Sequence, residues 1–296
     1  MPWLQLSLEL PGEDPDRLAE CLSEAGAVAV TLEPEGADPL YEPAPGATPL
    51  WPRTRVVGLF PAHTDAEAVA GQLARALSRT SVALDRASLP DQDWARVWLR
   101  DFRPMGFGNR LWVCPHGQTP PQPDAVVVFL DPGLAFGTGT HPSTALCLEW
   151  LDQTTADAGT VMDYGCGSGI LAIAAAKLGA SRVWAVDHDP QALQASVDNA
   201  HRNGVAERLR VLAPDTLDTQ IGPTTVDRLV ANILAEPLKV LAPRFAGYLR
   251  PGGALALAGV LEEQAEGVMQ AYRPWFTMEP PRRREGWVLL RGRRQE

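Results

Sequence analysis

No stretch of this sequence strings together the roughly 18 apolar residues that a membrane-spanning helix needs, so no membrane association is expected. The opening residues, Met1-Pro2-Trp3-Leu4-Gln5, lack the basic and apolar regions of a secretory signal. Cysteine is scarce: Cys21, Cys114, Cys147 and Cys166 are scattered and form no C-x-x-C pair. Neither a zinc site nor a disulfide framework is signalled, and a reducing cytoplasm fits. His63, His116, His141, His188 and His201 show no H-x-x-x-H spacing, so no metal site is expected. Positive charge is outnumbered, Lys+Arg 26 against Asp+Glu 36, and a formal charge of -10 disfavours broad attraction to a phosphate backbone. No direct nucleic-acid binding is therefore expected. One local exception is the cluster Arg282, Arg283, Arg284, Arg291, Arg293 and Arg294, read as a solvated basic end rather than a docking patch. Gly 26 and Pro 27 fall short of the roughly 25–30% that marks low-complexity chains, and 45% apolar with 21% charged residues is a globular composition.

At 296 residues the chain has room for two domains of ordinary size. Leu4, Leu6, Leu8 and Leu10 alternate with polar residues and predict a half-buried strand. Asp14 and Pro15 suit the N-cap and first turn of a helix, Leu18, Ala19 and Leu22 fall at helical spacing, and Gly26 stops it. Strands are predicted at 27–32 and 55–60, with a Pro-rich loop over 34–52 between them. Thr64 or Asp65 can cap a second helix that buries Val69, Leu73 and Leu77, and a fourth strand is predicted at 81–84. Strand, helix, strand, strand, helix, strand is the order of the ferredoxin-like α+β motif. This unit has no catalytic cluster, which makes it a recognition or packing domain. Residues 91–101, with Trp94, Val97, Trp98 and Leu99, have helical spacing and predict a bridge; those tryptophans suit interdomain core better than base stacking. From about Leu111, apolar runs at 126–130, 161–164, 183–187, 209–212, 229–232 and 254–258 alternate with helical segments. That alternation predicts a mainly parallel, doubly wound α/β sheet with ligands at the carboxyl ends of its strands.

Val161 to Tyr164 leads into Gly165-Cys166-Gly167-Ser168-Gly169 and then an alanine-rich helix from Ile170. Strand, glycine turn and helix in that order let a nucleotide-like group approach the backbone closely. A dinucleotide fingerprint, G-x-G-x-x-G, would place glycine at 170 where Ile170 stands, so an NAD-dependent oxidoreductase is the weaker alternative. No Gly-Lys-Ser or Gly-Lys-Thr follows for a Walker-type site. Asp187 ends the next strand, 22 residues beyond Gly165, where a carboxylate can accept both hydroxyls of a ribose. Asp189 before Pro190 is a good N-cap, which Asp187 could merely support. Residues 131–144 hold three glycines, two prolines and four hydroxyl residues, which suits a ligand lid better than a connector. Ser143 or Thr144 could instead only cap the following helix. His141 is a general-base candidate, although a lone His beside Pro is more often structural. Asn232 ends its strand and can offer its amide to a cofactor or nucleophile, or cap a turn.

The glycine turn, Asp187 and Asn232 together resemble the S-adenosylmethionine-dependent class I methyltransferases. Residues 131–144, 165–171, 187–190 and 232–238 resemble more specifically the PrmA family, the methyltransferases of large-subunit ribosomal protein L11, and the resemblance covers nearly the whole chain. It implies a ferredoxin-like substrate-recognition domain over 1–88, an interdomain linker helix over 89–105, and a seven-stranded methyltransferase domain over 106–296. It also implies a cytoplasmic enzyme that methylates lysine ε-amino groups and the N-terminal α-amine of that ribosomal protein. The implied cofactor is S-adenosyl-L-methionine, held by Thr144, Gly165, Gly167, Asp187 and Asn232. A methylsulfonium is already activated, so the chain need only align it with a neutral amine. Lysine, with a pKa near ~10.4, needs a partly dry pocket to lose its proton, and Asn232 is the catalytic candidate for orienting its lone pair. A class I methyltransferase of another substrate is the remaining alternative.

Overall fold

The computed structural model describes residues 2–35, 50–51, 53–89, 103–130, 139–155 and 159–296. The chain divides into two compact units, Met1–Trp94 and Ala95–Glu296. Most of the expected linker helix over 89–105, most of the 34–52 loop, and residues 131–138 of the glycine-threonine segment lie outside the described residues.

The first unit runs β1 (Trp3–Leu8), α1 (Pro15–Glu24), β2 (Ala29–Pro34), β3 (Thr54–Pro61), α2 (Ala66–Ala76) and β4 (Asp85–Leu89). Asp14 accepts from Asp16 N at 3.1 Å and Asp65 from Glu67 N at 2.9 Å, so both helices start at side-chain caps. The strands form one antiparallel sheet in the order β2-β3-β1-β4, the ferredoxin-like arrangement. Leu6, Leu18, Leu22, Phe60 and Leu73 fill its core. The fourth strand differs from the sequence expectation. It lies at Asp85–Leu89, where Trp3 to Ser7 of β1 fix its register, while Val82 of the predicted 81–84 run packs into the core as connection. An edge strand with an exposed face can be polar, so its own hydrophobicity did not mark it.

The second unit opens with β5 (Met105–Phe107), β6 (Leu111–Cys114) and β7 (Val126–Phe129), a separate three-stranded sheet. The run at 126–130 thus pairs with β6 in parallel instead of joining the main sheet. After α3 (Pro142–Thr154) come β8 (Thr160–Tyr164), α4 (Ile170–Lys177), β9 (Arg182–Val186), α5 (Pro190–Arg202), β10 (Leu209–Leu212), α6 (Pro214–Gln220), β11 (Val226–Asn232), α7 (Ala235–Tyr248), β12 (Leu249–Leu261), α8 (Ala265–Tyr272), β13 (Phe276–Met278), β14 (Arg282–Arg284) and β15 (Trp287–Arg294). The main sheet has the order β10-β9-β8-β11-β12-β15-β13, with the short β14 paired to β15. The first five strands of that order are parallel; β15 runs antiparallel to both β12 and β13.

Period-two alternation divides the strands between two cores. Val161, Val183, Ala185 and Val230 face a core shared with α3 and α4, whereas Met162, Trp184, Leu229 and Ala231 face one shared with α7 and α8. The sheet is therefore doubly wound, and its strand order reverses between β8 and β11, which makes the carboxyl ends of those strands a natural crevice. The C-terminal arginines lie in β14 and β15, where Arg283 pairs with Glu262, Arg284 with Glu149 and Arg291 with Glu279. Among the described residues no helix is long and apolar enough to cross a membrane.

Candidate active site

Two apolar elements, β8 and α4, are joined by residues 165–169 in so tight a turn that three glycines take positive φ. At Gly165, φ is 82°, and a Cβ there would come within 2.2 Å of Ile233 Cγ2. At Gly169, φ is 80°, and a Cβ would come within 3.1 Å of the Ser196 Cα. Both positions need glycine for conformation and for space. The amides of the turn are engaged by the protein: Gly165 N and Cys166 N donate to Val186 O at 2.7 and 3.0 Å, and Gly169 N to Cys166 O at 2.7 Å. What the turn offers a ligand is a surface without side chains, not a ring of open donors.

Gly167 N donates to Asp187 Oδ2 at 2.9 Å, and Asp189 N donates to Asp187 Oδ1 at 3.0 Å. One backbone donor per oxygen fixes the carboxylate while leaving each oxygen a second lone pair. Asp189 caps α5 by accepting from Gln191 N at 2.9 Å, with Pro190 in the first turn. Both sequence readings of this pair hold at once, since Asp187 supports the cap and also faces a cavity.

Across the crevice, Asn232 Nδ2 donates to Thr144 Oγ1 at 3.1 Å; Thr144 is buried in the first turn of α3. That bond leaves the Asn232 carbonyl oxygen as the group able to accept from a ligand. The cap of α3 is His141 rather than Ser143 or Thr144: its Nδ1 accepts from Ser143 N at 3.3 Å and lies 2.7 Å from Ser143 Oγ. Its ring sits edge-on to Trp287 at 4.5 Å. Burial pushes the His141 pKa below the usual imidazole value against the opposing pull of Glu285. A neutral, capped imidazole fits the structural reading of this residue better than the general-base one.

Gly165, Asp187 and Asn232 line one cavity of about 630 Å³, together with Leu234, Leu241 and Trp287. Thr144 and Gly167 do not line it among the described residues; they stand one hydrogen bond behind Asn232 and Asp187. Trp287, from the last strand, carries no motif that sequence spacing could have flagged. Asp163 was legible only as a lone acid in an apolar strand. It is fully buried, accepts from Ala172 N at 2.9 Å, and its Oδ1 has no partner among the described residues. Burial, helped by the charge of Asp187 and opposed by the Ala172 bond, pushes its pKa up to about 7. No group of three or more His, Cys, Asp or Glu able to hold a metal occurs among the described residues.

Residues 2–295 match the family model described as ribosomal protein L11 methyltransferase (PrmA). A protein of that name from Nitrosococcus oceani is 51% identical over 296 residues, covering all of both chains. Another, from Pseudomonas paraeruginosa, is 50% identical over 296 residues, covering 100% of this chain and 99% of its own. Among solved structures, a ribosomal protein L11 methylase from Lactobacillus delbrueckii subsp. bulgaricus aligns with a TM-score of 0.59 at 32% identity, over 66% of this chain and 100% of that one.

Proposed function

The chain belongs to the ribosomal protein L11 methyltransferase (PrmA) family, and from that premise we propose that it carries methyl groups from S-adenosylmethionine to amines of ribosomal protein L11. The amines are the lysine ε-amino groups and the N-terminal α-amine, and the setting is the cytoplasm. The first unit, residues 1–88, has the part of capturing the ribosomal protein.

The observation that carries this reading is a pair of links converging on one cavity: Gly167 to Asp187 on one side, Thr144 to Asn232 on the other. The residues present suit a sulfonium nucleoside. Asp187 has an open lone pair on each oxygen for two sugar hydroxyls, Gly165 keeps the approach free of side chains, and about 630 Å³ lies within the roughly 300–1,000 Å³ of small-molecule sites. When bound, the cofactor supplies a methyl group already activated on sulfur. Asp187 would hold the sugar, and Asn232, steadied by Thr144 through its NH2 group, would turn its carbonyl oxygen to the N–H of the target amine. The apolar walls at Leu234 and Leu241 would disfavour the ammonium form, so that the amine enters with its lone pair available. No protein nucleophile is called for, and orientation of amine, methyl carbon and sulfur supplies the rate.

The test is transfer of isotope-labelled methyl groups from S-adenosylmethionine to purified L11, with the modified nitrogens mapped by mass spectrometry. Label on amino groups of L11 is the expected result. Cofactor binding without label on L11 would assign the activity to another substrate.

A further inference from the structure

Helix α5 and its C-cap bury a stripe of three polar side chains, Ser196, Asn199 and Asn203, at 0%, 8% and 5% exposure. Their spacing of three and then four residues puts them on one face, the face a helix ordinarily makes apolar. Each is satisfied by backbone of the second unit. Ser196 Oγ donates to Gly167 O at 3.0 Å and Asn199 Nδ2 to Ser168 O at 2.9 Å. Asn203 takes both polar groups of one residue: its Oδ1 accepts from Phe129 N at 2.8 Å and its Nδ2 donates to Phe129 O at 2.8 Å. Phe129 ends β7, just before the segment 131–144 that arrives at Thr144.

We propose that Ser196, Asn199 and Asn203 are positioning residues of the methyl-donor site, holding the glycine turn and the root of the 131–144 segment in one register from behind. None of the three lines the cavity, so each acts through the backbone it grips. Gly167 is held twice, at its N–H by Asp187 and at its carbonyl by Ser196. Releasing the carbonyl frees that peptide to rotate, and the Asp187 carboxylate loses the donor that sets its orientation. Gly169 reinforces the clamp, because its lack of a Cβ is what lets the turn lie against Ser196. The inference rests on the reading of this cavity as a methyl-donor site.

The experiment is calorimetric titration of the full chain with S-adenosylhomocysteine, with hydrogen exchange read at 165–169. Ser196→Ala and Asn199→Ala are each expected to raise the Kd by about tenfold and to quicken exchange in the turn, with the KM for L11 changed by less than about twofold. Asp227→Ala removes a hydrogen bond at the amino end of the same sheet; it is expected to lower the Tm and leave the Kd unchanged. If Ser196→Ala and Asn199→Ala, measured where each is folded, bind within about twofold of the unaltered chain, the residues are merely structural and the inference falls. Should Asn199→Ala not fold, Ser196→Ala, which deletes a single hydroxyl, decides. If the unaltered chain itself fails to bind, the methyl-donor reading falls instead.

Discussion

Asp187 stands at the carboxyl end of β9 and Asp227 at the amino end of β11, and each receives backbone N–H groups from a neighbouring segment. Asp227 accepts from Thr160 N at 2.7 Å with one oxygen and pairs with Arg250 through the other. Asp187 accepts from Gly167 N and Asp189 N, has no arginine against it among the described residues, and faces the cavity. The same side chain is thus a saturated clamp at one end of the sheet and a fixed but open acceptor at the other. What separates a structural carboxylate from a ligand-binding one is the lone pair left over once the fold has been served, not the residue type.

The largest effect is expected from breaking the carboxyl end outright. Gly165→Ala puts a Cβ at positive φ within 2.2 Å of Ile233, and strain plus overpacking should destabilise by about 2–5 kcal/mol. Denaturant unfolding checks that figure, and methyl transfer by the variant should be undetectable. Asp163 sharpens the contrast by pH. Its folded pKa of about 7 exceeds the model value of 3.8, so the native state holds a proton that the unfolded chain releases. The associated stability is present at acid pH and is lost as pH climbs from near 4 through about 7. Between pH 5 and 8 the unaltered chain should lose about 3 kcal/mol more than Asp163→Asn does, read from unfolding curves at the two pH values.

The direct exchange of roles comes next in size. Asp187→Ala should weaken S-adenosylhomocysteine binding by about a hundredfold, since hydrogen bonds to a charged group are lost. Asp227→Ala should instead lower unfolding stability by about 1–3 kcal/mol with binding unchanged. Smallest of all is Arg284→Ala, which breaks a part-exposed pair with Glu149 and should shift stability by less than about 1 kcal/mol in a thermal melt.

This contrast explains which parts of the molecule were legible in the sequence. The strand, glycine turn and helix around Gly165, and Asp187 ending β9, were readable because their spacing is set by the ligand-facing geometry of a βαβ unit. The paired caps Asp14-Pro15 and Asp189-Pro190 were readable because capping is local. Elements fixed by distant partners were not. Residues 85–89 are a strand because β1 pairs with them, and Val126 to Phe129 join β6 because of their neighbours, not their valines. Ser196, Asn199 and Asn203 look like surface residues of an amphipathic helix until their partners, 29 to 74 positions away, are in place. Trp287 reaches the cavity only because β15 inserts antiparallel beside β12, a pairing no local pattern encodes.

The account turns most directly on a crystal structure of the full chain grown with S-adenosylhomocysteine. The result predicted is density for the nucleoside in the cavity at the carboxyl ends of β8 and β11, with both sugar hydroxyls within hydrogen-bond distance of the Asp187 carboxylate. A nucleoside bound elsewhere, or bound here with its sugar turned away from Asp187, would contradict it.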